Sequence, residues 1–245
     1  MPSLGKVSLE RKDWDNEYKR MIIARARSVS KFVNRNDELF DILCQFILEN
    51  KTKDYFNTNF DSWTEEVKLL NKTLKIAEME AFINALRAAY ENSRSDSEIS
   101  DFRGKLFEVI VEDIYSKKYQ STRTRISIFE KGCEVEINKN KIHYWNEDPN
   151  KEKSTVDVAG YNVDNSEFYE VKVGPSNFTH NVIEYLNLLK CVAVEEKISS
   201  SIFVGCMTMD TRAYLKQNLT KVKIKDRVDY KGLEIMGRED IKKLF

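Results

Sequence analysis

The sequence is poor in histidine and in paired cysteine, and this shortage argues against two classes of site. It has two histidines and four widely separated cysteines with no CxxC pair: His143, His180, Cys44, Cys133, Cys191 and Cys206. Neither a zinc site nor a disulfide framework is indicated. Buried free thiols are the better interpretation of the cysteines.

Long apolar runs and excess charge are also missing. No stretch of about 18 apolar residues occurs, and the start MPSLGKVSLERKDW has no apolar core of a signal peptide. We therefore predict a cytoplasmic protein without a membrane segment. Lys and Arg total 40, as do Asp and Glu, so net charge gives no reason to expect nucleic-acid binding. A hydrophobic content of 41% is nevertheless enough for a folded core.

Charge is unevenly distributed along the chain. Six basic residues and no acidic residue lie between Tyr18 and Asn36, and four basic residues lie between Ser116 and Phe129. Each run alone is more typical of a solvated helix face. If the chain binds nucleic acid, these runs and two asparagines provide the predicted contacts: Arg25, Arg27, Lys118, Arg123, Arg125, Asn177 and Asn181.

Glycine and proline are absent between Gly5 and Gly104, where apolar residues recur at helical spacing. The pattern predicts that the first hundred residues are all-helical, with three or four helices. Capping and turn residues place the breaks at Asn36-Asp37, Thr58 to Ser62 and Ser93 to Ser97.

From Asp101 onward the pattern changes to a helix, three or four strands, a helix, a strand, a helix, and a last strand and helix. Turns are expected at Lys131-Gly132 and Asn138-Lys139, and a helix at TRAYLKQNL (residues 211–219). This order predicts an α/β (α+β) fold with a mixed central sheet. The predicted domains are a helical region, residues 1–98, and an αβββαβ domain, residues 99–245.

The stretch STVDVAGYNVDNSEFYEVKVG (residues 154–174) carries charges in two predicted strands. Glu-x-Lys occurs six times in the chain, but only Glu170-Val171-Lys172 is predicted to lie in a strand. With a turn at Asp164-Asn165, Asp157 faces Lys172 and Glu170 is diagonal to it. All three side chains then share one sheet face, while Tyr169, Val171 and Val173 point to the core.

A cross-strand salt bridge explains Asp157 with Lys172 but not a second nearby carboxylate. Two adjacent carboxylates raise each other's pKa unless a cation lies between them. Divalent ions such as Mg²⁺ bind carboxylate oxygens and keep several waters, as phosphodiester hydrolysis requires.

These residues resemble the PD-(D/E)XK nucleases, which have the restriction-endonuclease-like fold. The resemblance covers roughly Asp101 to Thr208, with Val156 in place of the motif's proline. It implies that Asp157, Glu170 and the carbonyl of Val171 hold Mg²⁺, or Mn²⁺ in its place, while Lys172 activates the attacking water. It also implies an acid on the first core helix, for which Glu108 is the candidate.

Two features of the resemblance have ordinary explanations as well. Glu108, Glu112 and Lys105 also form a common polar stripe on a helix. Asn181-Val182-Ile183-Glu184-Tyr185 is similar to the Gln-xxx-Tyr of exonuclease-like members, although an apolar helix face that includes Tyr185 is the better explanation.

The resulting hypothesis is a Mg²⁺-dependent nuclease that cleaves DNA, with a family association to restriction or anti-phage defence. The helical region would bind nucleic acid, a second copy of the chain, or a partner such as a helicase or ATPase. The alternatives are a non-catalytic nucleic-acid or protein-binding module, in which Asp157, Glu170 and Lys172 form only a salt-bridge network, and an RNase of the same fold.

Overall fold

The computed structural model describes residues 3–12, 16–34, 36–70, 75–123, 125–207, 217 and 232–245. The chain divides into two compact units. One comprises Asp15–Ile110 with Lys242–Phe245, and the other comprises Met1–Trp14 with Val111–Ile241. Helix α5 runs from one unit into the other, so the division does not fall between residues 98 and 99.

The first unit is built from helices. Their bounds are α1 Glu17–Val33, α2 Asp37–Glu49, α3 Lys53–Leu70, α4 Ile76–Glu91 and α5 Asp96–Lys118. Asn16 and Asn36 cap α1 and α2 by accepting hydrogen bonds from backbone N–H groups of the first turn, as expected for Asn at this position. The core is aromatic, because Phe46 packs against Phe60, Trp63 and Tyr90.

One predicted helix break is wrong. Residues 58–62 lie inside α3, which continues to Leu70. The Ser62 hydroxyl donates to the Asn59 carbonyl at 2.9 Å, so the serine bonds within the helix instead of ending it. The breaks near Asn36 and Ser93 are confirmed by the ends of α1 and α4.

The second unit contains a mixed sheet of eight strands, which confirms the predicted α+β class. Their bounds are β1 Ser3–Leu4, β2 Val7–Arg11, β3 Ser127–Ile137, β4 Asn140–Lys141, β5 Thr155–Asn162, β6 Asn165–Lys172, β7 Ser200–Cys206 and β8 Glu234–Met236. The order across the sheet is β1-β2-β3-β5-β6-β7-β8, and β4 pairs with β3. The β6–β7 and β7–β8 pairs are parallel and the others are antiparallel.

The prediction that the first hundred residues are all-helical is wrong at its start. Strands β1 and β2 join the sheet through β3, and the register Val7↔Ile137 to Arg11↔Cys133 is antiparallel. Val7 and Leu9 are fully buried in the sheet's core. Alternation in Val-Ser-Leu-Glu-Arg was the signal for a strand, and burial of its apolar face is what holds it there.

The turn predicted at Lys131-Gly132 is also wrong, because both residues lie inside β3. Gly132 adopts a φ of 48°, which lets the strand continue through a conformation that other residues rarely adopt. Asn138-Lys139 does form the predicted turn, with φ values of 51° and 65°. The helix predicted for residues 211–219 lies, except for Gln217, outside the described residues.

Helices cover both faces of the central strands. Helix α6, His180–Glu195, contributes its apolar face to a core shared with Ala159 and Phe168. On the other face Tyr115 of α5 packs against Tyr169, and the Tyr119 ring lies over Gly160. The order α5, β3, β5, β6, α6, β7 matches the predicted αβββαβ arrangement. A short helix α7, Arg238–Lys242, follows β8.

Candidate functional site

The β5–β6 hairpin determines which charged side chains meet. Its turn residues are Val163 and Asp164, because the Asn162 side chain accepts from the N–H groups of Asp164 and Asn165. The pairs run from Asn162↔Asn165 to Val158↔Tyr169. The predicted turn at Asp164-Asn165 is therefore wrong, and the register is shifted by two residues.

This shift leaves Asp157, Glu170 and Lys172 on the same face of the sheet, as predicted, but changes which of these residues lie opposite each other. Extending the register by one pair places Asp157 beside Glu170 rather than opposite Lys172. Lys172 Nζ lies 2.6 Å from Glu170 Oε1 and 3.2 Å from Asp157 Oδ2. The structure thus brings together the three residues that the sequence singled out. Their roles in metal binding and catalysis stay predictions.

Both faces of strand β6 carry buried apolar side chains. Phe168 is fully buried on the face of Glu170, and Tyr169 is buried on the opposite face. The burial predicted for the face of Tyr169 and Val171 is confirmed, and the face of Phe168 and Glu170 is buried as well. Helix α6 covers the Glu170 face, so the charged cluster lies at the end of an apolar layer and not on an open surface.

Lys153 is a fourth member of the cluster that sequence reasoning missed. Its Nζ lies 3.0 Å from Glu170 Oε1, and its side chain is only 16% exposed. A backbone bridge with Tyr144 fixes its position, with N–H···O distances of 2.8 and 3.1 Å. This pairing joins two irregular segments, so no local periodicity in the sequence signalled it.

Glu170 is the most deeply buried charged group of the cluster. Its side chain is 0% exposed, and Oε1 accepts a hydrogen bond from Lys172 and forms an ion pair with Lys153. Oε2 is buried without a hydrogen-bond partner. A buried acceptor left unpaired is unfavourable, and native proteins rarely leave such an atom unpaired without a functional reason.

Asp157 is held in its charged form. Burial raises the pKa of its carboxyl, but attraction to Lys172 and Lys153 and the hydrogen bond from Val171 N–H together outweigh burial and leave the pKa lowered. The Val171 N–H donates to Oδ2 at 2.8 Å. A backbone group of β6 therefore orients this carboxylate directly.

Helix α6 borders the cluster through Tyr185. Its hydroxyl donates to the Ser154 carbonyl at 3.2 Å, and its ring is fully buried in the core. Burial raises the pKa of Tyr185 well above its ordinary value, and nearby Glu170 adds to the effect. The interpretation of Tyr185 as part of an apolar helix face is confirmed. Asn181 lies in the first turn of α6, where its side chain contacts Thr179.

Glu108 lies on α5 and pairs with Lys105 one turn earlier, which is an ordinary ion pair between residues three apart on a helix. Glu112, one turn later, pairs with Lys131 of β3. The role of Glu108 as a metal ligand stays a prediction. Among the described residues, no group of three or more His, Cys, Asp or Glu side chains is placed to hold a metal ion.

Several predicted nucleic-acid contacts have partners within their own unit. Arg25 bonds Glu98 at 3.3 Å and the Asn92 carbonyl at 2.7 Å. Lys118 bonds both oxygens of buried Glu167, and the Arg125 guanidinium donates to the Lys118 carbonyl. Arg27, Arg123 and Asn177 are exposed. Contact of any of these residues with nucleic acid stays a prediction.

We predicted that Glu170-Val171-Lys172 is the only Glu-x-Lys motif in a strand, and this prediction is not confirmed. Glu10-Arg11-Lys12 begins in β2, which was predicted to be helical. Glu10 differs in its environment, because it is part of an exposed network with Lys12, Lys141 and Glu134. Burial, and not the spacing alone, separates the two motifs.

Comparisons with known proteins find little resemblance. No family model matches the chain, and no curated protein matches it. A solved structure titled "Crystal structure of protein VC1899 from Vibrio cholerae" is 13% identical, with a TM-score of 0.42. The match covers 98% of this chain and 57% of that one, so the chain spans just over half the length of that protein. A likeness at this level carries no conclusion about fold or function.

The length and the apolar content of the helices bear on whether any of them could cross a bilayer. Within the described ranges, none combines the length with the apolar content that a membrane span requires.

Proposed function

We propose that this chain is a Mg²⁺-dependent nuclease of the PD-(D/E)XK type that hydrolyses phosphodiester bonds of DNA. One observation carries the proposal: Glu170, near the end of β6, has a fully buried Oε2 without a hydrogen-bond partner, and the strand register extended by one pair places this residue opposite Asp157. A structural salt bridge needs no such atom. The αβββαβ order and the parallel β6–α6–β7 crossover support the same family.

The residues present fit a hard divalent cation. Mg²⁺ is commonly held by one or two carboxylates together with waters and substrate phosphate oxygens, so two carboxylates are sufficient. Asp157, Glu170 and the carbonyl of Val171 would hold the ion, with Mn²⁺ as a substitute. When bound, such an ion polarises a phosphoryl oxygen and lowers the pKa of a coordinated water.

The side chains of this chain have separate tasks in the proposed reaction. Asp157 is kept ionised by Lys172, by Lys153 and by the Val171 N–H, and the ionised carboxylate is the form that binds a cation. Lys172 lies between both carboxylates, where its ammonium would orient the attacking water and offset charge that develops on the phosphoryl group. Burial under α6 limits the access of bulk water and strengthens these interactions.

The wider parts of the hypothesis belong to the same proposal. Glu108 would complete the ligand set, and the helical unit would contact DNA, a second copy of the chain, or a partner such as a helicase or ATPase. A cytoplasmic enzyme of restriction or anti-phage defence is the biological setting that the family resemblance suggests. Preference for DNA over RNA rests on that resemblance alone.

The charge balance of the cluster favours one alternative from another class. Two carboxylates face two lysines, Lys153 and Lys172, so the cluster is neutral without any ion. A non-catalytic binding module of the same fold would need only this network. Such a module would show no cleavage and no divalent-cation binding that depends on Glu170.

The test is Mg²⁺-dependent cleavage of plasmid, linear duplex and single-stranded DNA, and of RNA, by the wild type and Lys172→Ala. We expect Lys172→Ala to lower turnover by about 10²–10³-fold with little change in substrate binding, because its ammonium acts on the transition state. Lys151→Ala, which removes an exposed lysine, is the control. Cleavage that persists undiminished in Lys172→Ala would contradict the proposal, as would a lack of cleavage of every substrate with either ion.

A further inference from the structure

The cluster contains one lysine more than the proposed chemistry requires. Lys172 contacts both carboxylates, at 2.6 Å from Glu170 and 3.2 Å from Asp157. Within the described part of the chain, Lys153 forms an ion pair with Glu170, at 3.0 Å, on the same Oε1 that Lys172 contacts, and its charge acts on Asp157 only from a greater distance. A second buried ammonium on one oxygen is costly to desolvate, so its presence needs an explanation.

Charge counting supplies that explanation. Two carboxylates and two ammonium groups sum to zero, whereas a divalent cation added to all four would leave a charge of +2 in a largely buried site. Buried uncompensated charge is strongly unfavourable. Departure of one ammonium from the carboxylates lowers that charge to +1, so a cation enters more readily when an ammonium is displaced.

Lys153 is the ammonium that can leave with the smaller loss. Lys172 bridges two carboxylates, so its departure breaks two ion pairs, whereas the departure of Lys153 breaks one. Lys153 also lies on an irregular segment before β5, where its backbone is paired with Tyr144 in an isolated bridge and not in a strand of the sheet. Glu170 keeps a counter-ion in Lys172 after Lys153 has moved.

We infer that Lys153 is an internal counter-ion that occupies Glu170 in the metal-free protein and that a divalent cation displaces. Lys153 thereby sets the cation affinity of the site and is a positioning residue, not a catalytic one. The inference rests on the proposed function for the identity of the ion. It adds that the metal-free cluster is a closed state of the site, with its carboxylates already neutralised.

The test is calorimetric titration of the full-length protein with Mn²⁺ alone. Lys153→Met should bind Mn²⁺ more tightly than the wild type by about tenfold, which corresponds to roughly 1.4 kcal/mol. Lys153→Arg keeps the charge and should bind close to the wild-type affinity. Lys151→Met removes the same charge two residues away, from a side chain that is 67% exposed, and should change the affinity by less than about twofold.

Thermal melts distinguish competition from damage to the fold. In EDTA, Lys153→Met should melt at a lower temperature than the wild type, because Glu170 loses a buried partner. In Mn²⁺ it should gain more from the ion than the wild type does, since tighter binding to the folded state stabilises it further. If Lys153→Met fails to fold, Lys153→Gln replaces it, because the amide keeps a donor for Glu170 without the charge.

The outcomes separate the two proposals. Mn²⁺ binding that depends on Glu170 but is unchanged or weaker in Lys153→Met overturns the counter-ion inference and leaves the nuclease proposal standing. Tighter binding in Lys153→Met without cleavage by the wild type supports the inference and contradicts the nuclease. Absence of Mn²⁺ binding in both the wild type and Lys153→Met overturns both.

Discussion

Asp157 is the residue whose charge state is best defined by its surroundings. Burial acts to protonate its carboxyl, while Lys172, Lys153 and the Val171 N–H act to ionise it and prevail. A group whose pKa is lower in the folded than in the unfolded state stabilises the fold above its unfolded pKa. That contribution disappears as the pH falls through the folded pKa.

Asp157→Asn tests this linkage. At pH 7 we expect the variant to be less stable by about 1–2 kcal/mol, because it loses charge-assisted hydrogen bonds. The difference should shrink as the pH falls below the usual aspartate pKa of about 3.9, since the unfolded state then takes up a proton that folded Asp157, with its lowered pKa, still excludes. Thermal melts in EDTA from pH 7 to pH 3 measure it.

Asp164→Asn, in the exposed turn of the same hairpin, is the matched control and should shift the melting temperature little at any pH. A gap between the wild type and Asp157→Asn that stays constant or widens toward pH 3 would contradict the assigned direction of the pKa.

Period-two alternation was enough to place Asp157, Glu170 and Lys172 on one face, because that parity survives a shift of two residues. The partner of each residue was not predictable in the same way. It depends on the Asn162 side chain, which selects Val163-Asp164 as the turn. The role of Lys153 could not be predicted from the sequence, since a tertiary backbone bridge to Tyr144 brings it to Glu170.

At the scale of secondary-structure elements, the packing of α5 on the sheet depends on a glycine, Gly160, where any larger residue would meet the helix. A Cβ added at Gly160 of β5 would lie 2.3 Å from Tyr119 Cε2. The Tyr119 ring cannot move freely, because it is buried and its hydroxyl donates to Glu167 at 2.6 Å. Gly160 therefore allows the close approach of helix and strand.

Gly160→Ala should destabilise the protein by about 1–3 kcal/mol, the usual cost of overpacking. Gly104→Ala is the contrasting variant, because no atom lies within 4 Å of an added Cβ and the residue is inside α5. It should stabilise by about 0.5–1 kcal/mol, since alanine favours a helix over glycine. Chemical denaturation measures both changes, and a neutral Gly160→Ala would show that the ring relaxes without loss.

Long elements with a strong apolar period were predictable, and short ones were not. The helix α6 and the strand β7 follow the three long strands in the predicted order. The two-residue β1 and five-residue β2 offer too few positions to outweigh a helical neighbourhood. Their pairing, of β1 with β2 and of β2 with β3, is what identifies them. Helix α3 was divided in error because serine and threonine also occur inside helices when they bond back to a carbonyl.

At the scale of the whole molecule, sequence distance and spatial grouping differ most at the N-terminus. Residues 7–11 precede the helical unit, yet they pair with β3, more than a hundred residues later. A boundary at residue 98 would place this strand in the wrong unit. Contacts of such long range are not encoded in local patterns, which explains the error.

Leu9→Ala measures how much the N-terminal strand contributes to the sheet. Leu9 is fully buried in the core that also contains Val135 and Val156, so truncation should cost about 2–5 kcal/mol. Ser8→Ala, in the same strand on its other face, should cost far less, because Ser8 contributes no side chain to that core. Guanidinium denaturation of both variants gives the comparison.

Equal and small losses of stability in the two variants would mean that β2 does not stabilise the sheet. Residues 1–14 would then be dispensable for this unit. A large loss confined to Leu9→Ala would mean that a fragment beginning at residue 99 lacks part of its own core.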